Sequence, residues 1–425
     1  MTLRIDSLDA EGRGVARNPE GKVVFVEGAL PGEEVAFEAL RKKSSFEVGR
    51  VTQIVHAASS RQAPRCPHFG VCGGCSLQHA DSRTQMAAKQ RWLEENLARI
   101  GKVEPEVMLP IVYGEEWGYR RRARMGARYV DKKGGALVGF RERRSSYITE
   151  MRECHVLPPR ISALILPLRS LVQNLGARAR VPQIEVAVGD DAAVLVIRHL
   201  DPLSERDQAA VKRFAEDHAV HVWLQPGGPD SARPFQPTES ELYYDLPEFG
   251  VRLHFGPTDF TQVNHGVNRI LVARAVRLLD PQPGERVADL FCGLGNFSLP
   301  LARRGAQVIG FEGSRDLVER ARRNALANRL DAQFEVLDLF KFGIEAYGPF
   351  EKLLLDPPRE GAVELVKALP DAWPRRIVYV SCDPATLARD AGVLVHTRGF
   401  RLTAAGVVNM FPHTAHVESI ALFDR

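Results

Sequence analysis

The residues best suited to covalent chemistry lie in the stretch Ile377 to Asp390, IVYVSCDPATLARD. Its apolar, β-branched beginning predicts a strand that stops at Cys382, and Pro384 suits the first turn of a following helix. Ligands of an open parallel sheet bind outside the carboxyl ends of its strands, so this thiol should face a crevice. The amide donors and dipole of the helix should favour a thiolate over a thiol. We therefore interpret Cys382 as a nucleophile; the alternative is a small apolar residue that fills the strand end.

A second group of cysteines has the spacing of a metal site. Cys66, Cys72 and Cys75 form the pattern CxxxxxCxxC in a loop rich in proline and glycine, and Cys154 follows 79 positions after Cys75. Tight turns allow three such thiolates to converge. Four sulfurs fit either a tetrahedral zinc ion or an iron–sulfur cluster, and the spacing does not distinguish the two. The alternative is a set of buried thiols without a metal.

The last third of the chain predicts a binding site for a nucleoside. Gly293 and Gly295 in the turn GLGNF let the backbone approach a ligand, and Glu312 ends the next predicted strand, where its carboxylate can bind both hydroxyls of a ribose. The turn lacks the GxGxxG pattern and no Walker lysine follows, which disfavours a dinucleotide or a nucleoside triphosphate. S-adenosylmethionine fits better, with Asp338 placed to accept from the adenine amino group.

Two further carboxylates follow or begin predicted strands. Asp356 ends the strand in KLLLDPPREG, where the prolines fix φ and should aim its carboxylate into the same crevice. Glu418 lies among apolar neighbours in AHVESIALF. A buried Glu418 would suit a general base, and the alternative is an edge-strand carboxylate exposed to water.

Two parts of the chain have distinct patterns of predicted secondary structure, one at the N-terminus and one in the last third. Residues 1 to 58 alternate apolar and polar positions in short runs, which predicts an OB-like β-barrel of a kind that often holds single-stranded RNA. The last third alternates strand, glycine turn and helix, which predicts an α/β domain with a parallel sheet. From Ser76 to Ile100 the apolar residues recur at helical spacing and predict a connecting amphipathic helix.

A basic stretch lies between these two parts. Ten lysines or arginines occur from Arg120 to Arg144, against only Asp131 and Glu142, and aromatic residues are interleaved. The pattern predicts a hairpin turned at residues 133–135, with guanidinium groups on one face that could grip phosphates while the aromatic residues stack bases. The alternative is a solvated face without a partner.

Composition limits the class of protein. The chain has 425 residues, enough for two or three domains, and its formal charge is 57 − 53 = +4, so RNA would have to be bound by a local patch. The sequence contains no run of about 18 apolar residues and begins without the apolar core of a signal peptide. We expect a cytoplasmic protein that is not bound to a membrane, in which six cysteines serve metal binding or catalysis more readily than disulfides.

Taken together, CxxxxxCxxC with a distant Cys154, DLFCGLGNF, DPPREG, SCDP and HVES resemble the motifs of the RNA (uracil-C5)-methyltransferases, over nearly the whole chain. The N-terminal barrel resembles a TRAM domain. A barrel combined with the cysteine motif is most similar to the branch that acts on 23S ribosomal RNA. The resemblance implies a TRAM barrel at 1–58, a central α+β iron–sulfur domain at 59–77 and 111–258, and a class I (Rossmann-like) methyltransferase domain at 78–110 and 259–425.

The same resemblance implies cofactors and residue roles. Cys382 would add to C6 of uracil and Glu418 would remove the C5 proton. The partner would be a single-stranded or unfolded segment of 23S rRNA, bound by a monomer. The ligands of a [4Fe-4S] cluster would be Cys66, Cys72, Cys75 and Cys154. The S-adenosylmethionine contacts would be Gln262, Phe291, Asn296, Glu312, Asp338 and Asp356.

Several alternatives stay open at this point. The target could be another uracil in rRNA or tRNA. A cytosine-C5 RNA methyltransferase uses the same addition chemistry, although its pattern would add a second cysteine where this chain has Asp356-Pro357-Pro358. An amino-group methylase would need no thiol, and an iron–sulfur RNA-binding sensor would need no methyl donor.

Overall fold

The computed structural model describes residues 2–341 and 344–425. Its N-terminal part is one six-stranded sheet with a small aliphatic core that includes Val24, Val26 and Val35. The strand order is β1-β5-β6-β4-β3-β2. The prediction of a small β domain at this end is confirmed. Its strands are β1 (Thr2–Arg4), β2 (Ser7–Leu8), β3 (Gly14–Arg17), β4 (Val23–Glu27), β5 (Glu34–Lys42) and β6 (Phe46–His56).

The helix that follows, α1 (Ser82–Asn96), begins later than the predicted Ser76 but continues as a π-helical turn, Leu97–Gly101, so it reaches the predicted end at Ile100. It begins late because the Asp81 side chain accepts from the backbone N–H of Thr84 at 2.7 Å and so caps the first turn. Ile100, expected on the buried face, is about half exposed. After α1 comes the short strand β7 (Val107–Met108), which pairs with a strand near the C-terminus.

The central part is a second six-stranded sheet with helices packed against it. Its strand order is β13-β12-β11-β10-β8-β9. The predicted basic hairpin is confirmed as the antiparallel pair of β8 and β9. The strands are β8 (Arg122–Val130), β9 (Gly135–Gly139), β10 (Gln183–Val188), β11 (Ala193–Arg198), β12 (His221–Gln225) and β13 (Arg233–Gln236). The helices are α2 (Pro159–Ser162), α3 (Ile165–Asn174) and α4 (Glu205–Asp217).

A two-stranded antiparallel sheet, β14 (Leu242–Leu246) and β15 (Val251–Phe255), joins this part to the C-terminal part. Its apolar side chains, among them Leu253 and Phe255, share one core with the next helix.

The C-terminal part is an eight-stranded sheet in the order β18-β17-β16-β19-β20-β22-β21-β7. The strands β18, β17, β16, β19 and β20 are parallel, and β22 is antiparallel to both of its neighbours. Its strands are β16 (Arg286–Leu290), β17 (Gln307–Glu312), β18 (Ala332–Val336), β19 (Lys352–Leu355), β20 (Arg376–Ser381), β21 (Arg401–Val408) and β22 (Glu418–Asp424). Its helices are α5 (His265–Leu279), α6 (Ser298–Arg303), α7 (Arg315–Ala327), α8 (Val363–Ala368) and α9 (Pro384–His396).

This topology collects functional groups at one edge. The carboxyl ends of the parallel strands meet there, and β22 contributes its first residue because it runs the opposite way. The α/β prediction for this part is confirmed. None of the helices in the described ranges is long and apolar enough to span a membrane.

Candidate active site and cysteine cavity

A cavity of about 810 Å³ opens at the carboxyl edge of the eight-stranded sheet. The structure brings together here every residue that the sequence analysis assigned to catalysis or to the methyl donor. These residues are Gln262, Phe291, Asn296, Glu312, Asp338, Asp356, Cys382 and Glu418.

Cys382 lies between β20 and α9, as the sequence predicts, and lines the cavity. The expectation that it is a thiolate is wrong. Burial first, and then the charges of Glu418 and Asp356, raise the pKa of Cys382 to about 11, while Arg359 opposes them. The helix does not help, because the Asp383 carboxylate accepts from the first free amides of α9, at 2.9 Å from the nitrogen of Ala385. These surroundings therefore favour the thiol over the thiolate in the protein without ligands.

Glu418 is buried as the first residue of β22. Since β22 lies between β20 and β21, the alternative of an exposed edge-strand carboxylate is excluded. Burial, and then the charge of Asp356, raise the pKa of Glu418 well above its ordinary value. Burial likewise raises the pKa of Asp356 to about 7. Two carboxyl groups that share a dry site in this way suit proton transfer near neutral pH.

Asp289 is a buried acid that the sequence analysis missed. One carboxylate oxygen accepts from the Ser298 hydroxyl at 2.5 Å, while the other, Oδ1, has no hydrogen-bond partner among the described residues. Burial raises the pKa of Asp289 to about 7. The signal was present as the aspartate of DLFCGLGNF, directly before the glycine turn.

The part of the cavity that is lined by Phe291, Gly293 and Glu312 has the features of a nucleoside-binding site. Glu312 ends β17, and its carboxylate accepts from the backbone N–H groups of Gly293 at 3.3 Å and Ser314 at 2.9 Å. Gly293 has φ +55°, which favours glycine and keeps the turn open beside this carboxylate. The rings of Phe291 and Phe340 lie 5.7 Å apart at the same end.

Two other predicted cofactor contacts differ in how firmly they are held. Asn296 is fixed by Asn268 and Tyr244, since its Oδ1 accepts from both at 2.9 Å. Asp338 lies at the exposed rim, where it forms an ion pair with Lys341 at 3.0 Å. Its contact with adenine stays a prediction.

The four clustered cysteines line a second cavity, of about 220 Å³. Burial raises the pKa of Cys75 to about 11 and that of Cys154 to about 12, so thiolates in this cavity would need a bound cation. Within residues 2–341 and 344–425, no three His, Cys, Asp or Glu side chains are arranged to hold a metal ion. Arg120 and His416 line both cavities and form a wall between them.

The basic hairpin alternates as predicted, with Arg124 and Arg128 exposed on β8 and with Met125 and Ala127 buried on its other face. Some of its arginines already form ion pairs within the protein. Arg124 pairs with Glu185 at 3.0 Å, and Arg144 forms an ion pair with Glu27 of the N-terminal sheet. Contact of this face with RNA stays a prediction.

Comparisons with known proteins agree with this arrangement. Residues 251–425 match the family described as tRNA (Uracil-5-)-methyltransferase, and residues 1–43 match the TRAM domain. The chain is 61% identical to the 23S rRNA (uracil(1939)-C(5))-methyltransferase RlmD of Nitrosospira multiformis and 60% identical to that of Thiobacillus denitrificans. Each comparison covers 99% of this chain and 98% of the relative.

A solved structure supports the fold over its full length. The Pyrococcus abyssi tRNA (uracil-54, C5)-methyltransferase in complex with S-adenosyl-L-homocysteine has a TM-score of 0.76 at 25% identity, covering 100% of both chains. The predicted α/β methyltransferase fold with an N-terminal TRAM domain is confirmed, and so is the predicted family. This chain belongs to the family of 23S rRNA (uracil(1939)-C(5))-methyltransferases.

Proposed function

We propose that the chain transfers a methyl group from S-adenosylmethionine to C5 of uracil 1939 in 23S rRNA, through a temporary bond between the sulfur of Cys382 and C6 of the uracil. The observation that carries this proposal is the single cavity that holds a thiol, two buried carboxyl groups and a nucleoside site. The relatives with about 60% identity carry the name of this activity, which supports the choice of substrate.

The methyl donor fits the part of the cavity between Glu312 and Cys382. Glu312 would bind the ribose hydroxyls, Phe291 and Phe340 would hold the adenine, and Asp356 would orient the methionine moiety. When bound, S-adenosylmethionine supplies the methyl group and a positive sulfonium charge. The P. abyssi structure contains the demethylated product of this donor.

Glu312→Ala should weaken binding of S-adenosylmethionine by about 10- to 100-fold, because one side chain would lose two charge-assisted hydrogen bonds to the ribose. Isothermal calorimetry measures this directly. Glu319→Ala is the matched control, since Glu319 is an exposed carboxylate on α7 paired only with a surface arginine. Equal affinity in the Glu312 variant and the control would contradict the assignment.

The chemistry follows from the poor nucleophilicity of uracil C5. Cys382 loses its proton to Asp356, so that Glu418 stays free to act as the later base, and its sulfur adds to C6, which pushes electrons toward C5 and O4 as an enolate. C5 then forms a bond to the methyl group of the donor while the bond from that methyl group to the donor sulfur breaks, which leaves S-adenosylhomocysteine. Glu418 removes the C5 proton, the C5–C6 double bond forms again, and the bond from C6 to the Cys382 sulfur breaks. The sulfonium charge of a bound donor would favour the ionised thiol of Cys382 and so oppose the effect of burial on its pKa.

RNA would reach this cavity from the side of the basic hairpin and the TRAM barrel. The target base must leave its stack to admit attack at C6, and single-stranded RNA is held by aromatic stacking and positive charge. Arg128 and Tyr147 are exposed groups that can do this. We assign residues 59–77 and 111–258 to this central RNA-binding domain, and residues 78–110 and 259–425 to the methyltransferase domain.

The function is tested by incubating the purified protein with unmethylated 23S rRNA and mapping the product by mass spectrometry. We expect one 5-methyluridine, at position 1939. Methylation of cytosine, of an amino group or of tRNA alone would overturn the proposal. An RNA with cytosine at 1939 is the matched control and should accept no methyl group.

We also propose that Cys66, Cys72, Cys75 and Cys154 hold a [4Fe-4S] cluster. All four line one cavity, and their buried thiolates need positive charge. Four cysteine sulfurs around one cavity can ligate either a zinc ion or a cluster, and the resemblance to the family favours the cluster. The cluster would tie the cysteine loop to the central domain.

Protein purified without oxygen should contain about four iron and four sulfide per chain, and Cys154→Ser should lose most of both because one of four ligands is removed. Elemental analysis and the visible absorption band measure this. Cys292→Ser is the control, since that buried thiol lies in the other cavity. One zinc per chain, without iron, would contradict the cluster.

A further inference from the structure

The loop that leads into Glu418 is held by residues outside the eight-stranded sheet. It runs from Asn409 to Val417, between β21 and β22, and its Phe411 and His416 line the active-site cavity. The conformation of this loop sets how the first residue of β22 presents its carboxylate.

Lys89 of α1 contacts this loop at two points. Its side chain is fully buried, and Nζ donates to Oδ1 of Asn409 and to the carbonyl oxygen of Phe411, both at 2.8 Å. Both acceptors are neutral, so no opposite charge offsets the loss of water around the ammonium group. Burial accordingly lowers the pKa of Lys89 to about 7. A core position used only for stability is filled better by an apolar side chain of similar volume, so the buried amine points to another task.

Gln85, one helical turn earlier, holds the next part of the loop. Its Oε1 accepts from the backbone N–H of His413 at 2.8 Å. His413 has φ +65°, a left-handed conformation that residues other than glycine rarely adopt and that surrounding contacts must maintain. Trp117 stacks on the His413 ring, with the two ring centroids 3.8 Å apart. The backbone N–H groups of Ser76 and Leu77 both donate to the carbonyl oxygen of His413.

We propose that Lys89 and Gln85 are positioning residues, which hold the loop Asn409–Val417 so that Glu418 can remove the C5 proton. This inference rests on the proposed function. Cys382 and Asp356 follow other strands, β20 and β19, so we expect donor binding, thiol addition and methyl transfer to depend much less on this contact than proton removal by Glu418 does. In that last step the C5–H electrons form the C5–C6 double bond, Glu418 receives the proton and the thiolate leaves C6.

The test is a single-turnover measurement on Lys89→Met, which keeps the volume of the side chain and removes the donor. We expect adduct formation within about twofold of the parent and release slowed by about tenfold or more, so that methylated RNA accumulates on the protein. A merely structural residue would slow both steps together. If Lys89→Met does not fold, Asn409→Ala removes one acceptor while leaving the lysine in place and should show the same split.

Hydrogen exchange gives a readout that needs no catalysis. In Lys89→Met without ligands, the amides of residues 409–417 should exchange about tenfold faster than in the parent, while those of 376–390 around Cys382 stay unchanged. Unchanged exchange in the loop, or equal slowing of adduct formation and release, would overturn the inference. Absence of any adduct in the parent protein would instead refute the covalent mechanism, and the exchange result would still decide whether Lys89 holds the loop.

Discussion

Cys382→Ala is expected to lower the rate of uracil methylation by at least about 10⁴-fold, because removal of a catalytic nucleophile eliminates the covalent route. Without the bond from Cys382 to C6, C5 of the uracil stays too electron-poor to take the methyl group from the sulfonium of the donor. The affinity for S-adenosylmethionine should stay within about threefold, since the proposed donor contacts come from other strands. Transfer of radioactive methyl groups to RNA and calorimetry with the donor measure the two quantities separately.

The matched control is Cys292→Ala. Cys292 is the second thiol that lines the active-site cavity, but it is almost fully buried and burial raises its pKa well above the ordinary value. This variant should retain the covalent step. A Cys382 variant with full activity would instead favour an amino-group methylase, which needs no thiol.

Glu418→Gln is expected to stop the reaction after methyl transfer. Glutamine is nearly isosteric but cannot accept the C5 proton, so release should slow by about 10³-fold and methylated RNA should stay bound to the protein. Denaturing gel electrophoresis with labelled RNA detects this species. Rapid release of product from the variant would show that another group removes the proton.

The raised pKa of Glu418 also predicts how the last step, release of the methylated RNA, depends on pH. Only the ionised carboxylate accepts a proton, and burial raises the pKa of Glu418. The rate of release should therefore fall as the pH drops through that raised pKa, at values where an ordinary glutamate is still ionised. In Glu418→Gln this pH dependence should disappear, while that of adduct formation remains.

The sequence was sufficient to find eight residues that line the active-site cavity. Strand-ending residues such as Glu312, Asp356 and Cys382 could be found because parallel strands bring their carboxyl ends to one edge. All eight predicted residues line one cavity, although their individual roles stay proposals.

The ionisation of these groups could not be predicted from position alone. The pattern SCDP suggested a helix whose amides favour a thiolate, but Asp383 accepts from those amides and burial raises the pKa of Cys382. Whether a polar side chain next to a nucleophile caps the helix or leaves its amides free depends on its rotamer, which a pattern does not encode.

Contacts between residues far apart in the sequence could not be predicted either. The periodicity of residues 76–100 predicts a helix, yet nothing in it indicates that Lys89 meets Asn409, which lies 320 positions away. Asp289 was missed because an aspartate in a predicted strand is common. Only the structure shows that its side chain is completely buried and that one carboxylate oxygen has no hydrogen-bond partner among the described residues.

The most direct measurement of the central claim is peptide mapping of the protein after incubation with S-adenosylmethionine and RNA that carries 5-fluorouridine at position 1939. Fluorine replaces the proton that Glu418 must remove, so the adduct cannot be released. The account predicts one modified tryptic peptide, in which Cys382 carries the methylated fluorouridine. Methylated RNA without any attached peptide, or attachment through a different cysteine, would contradict it.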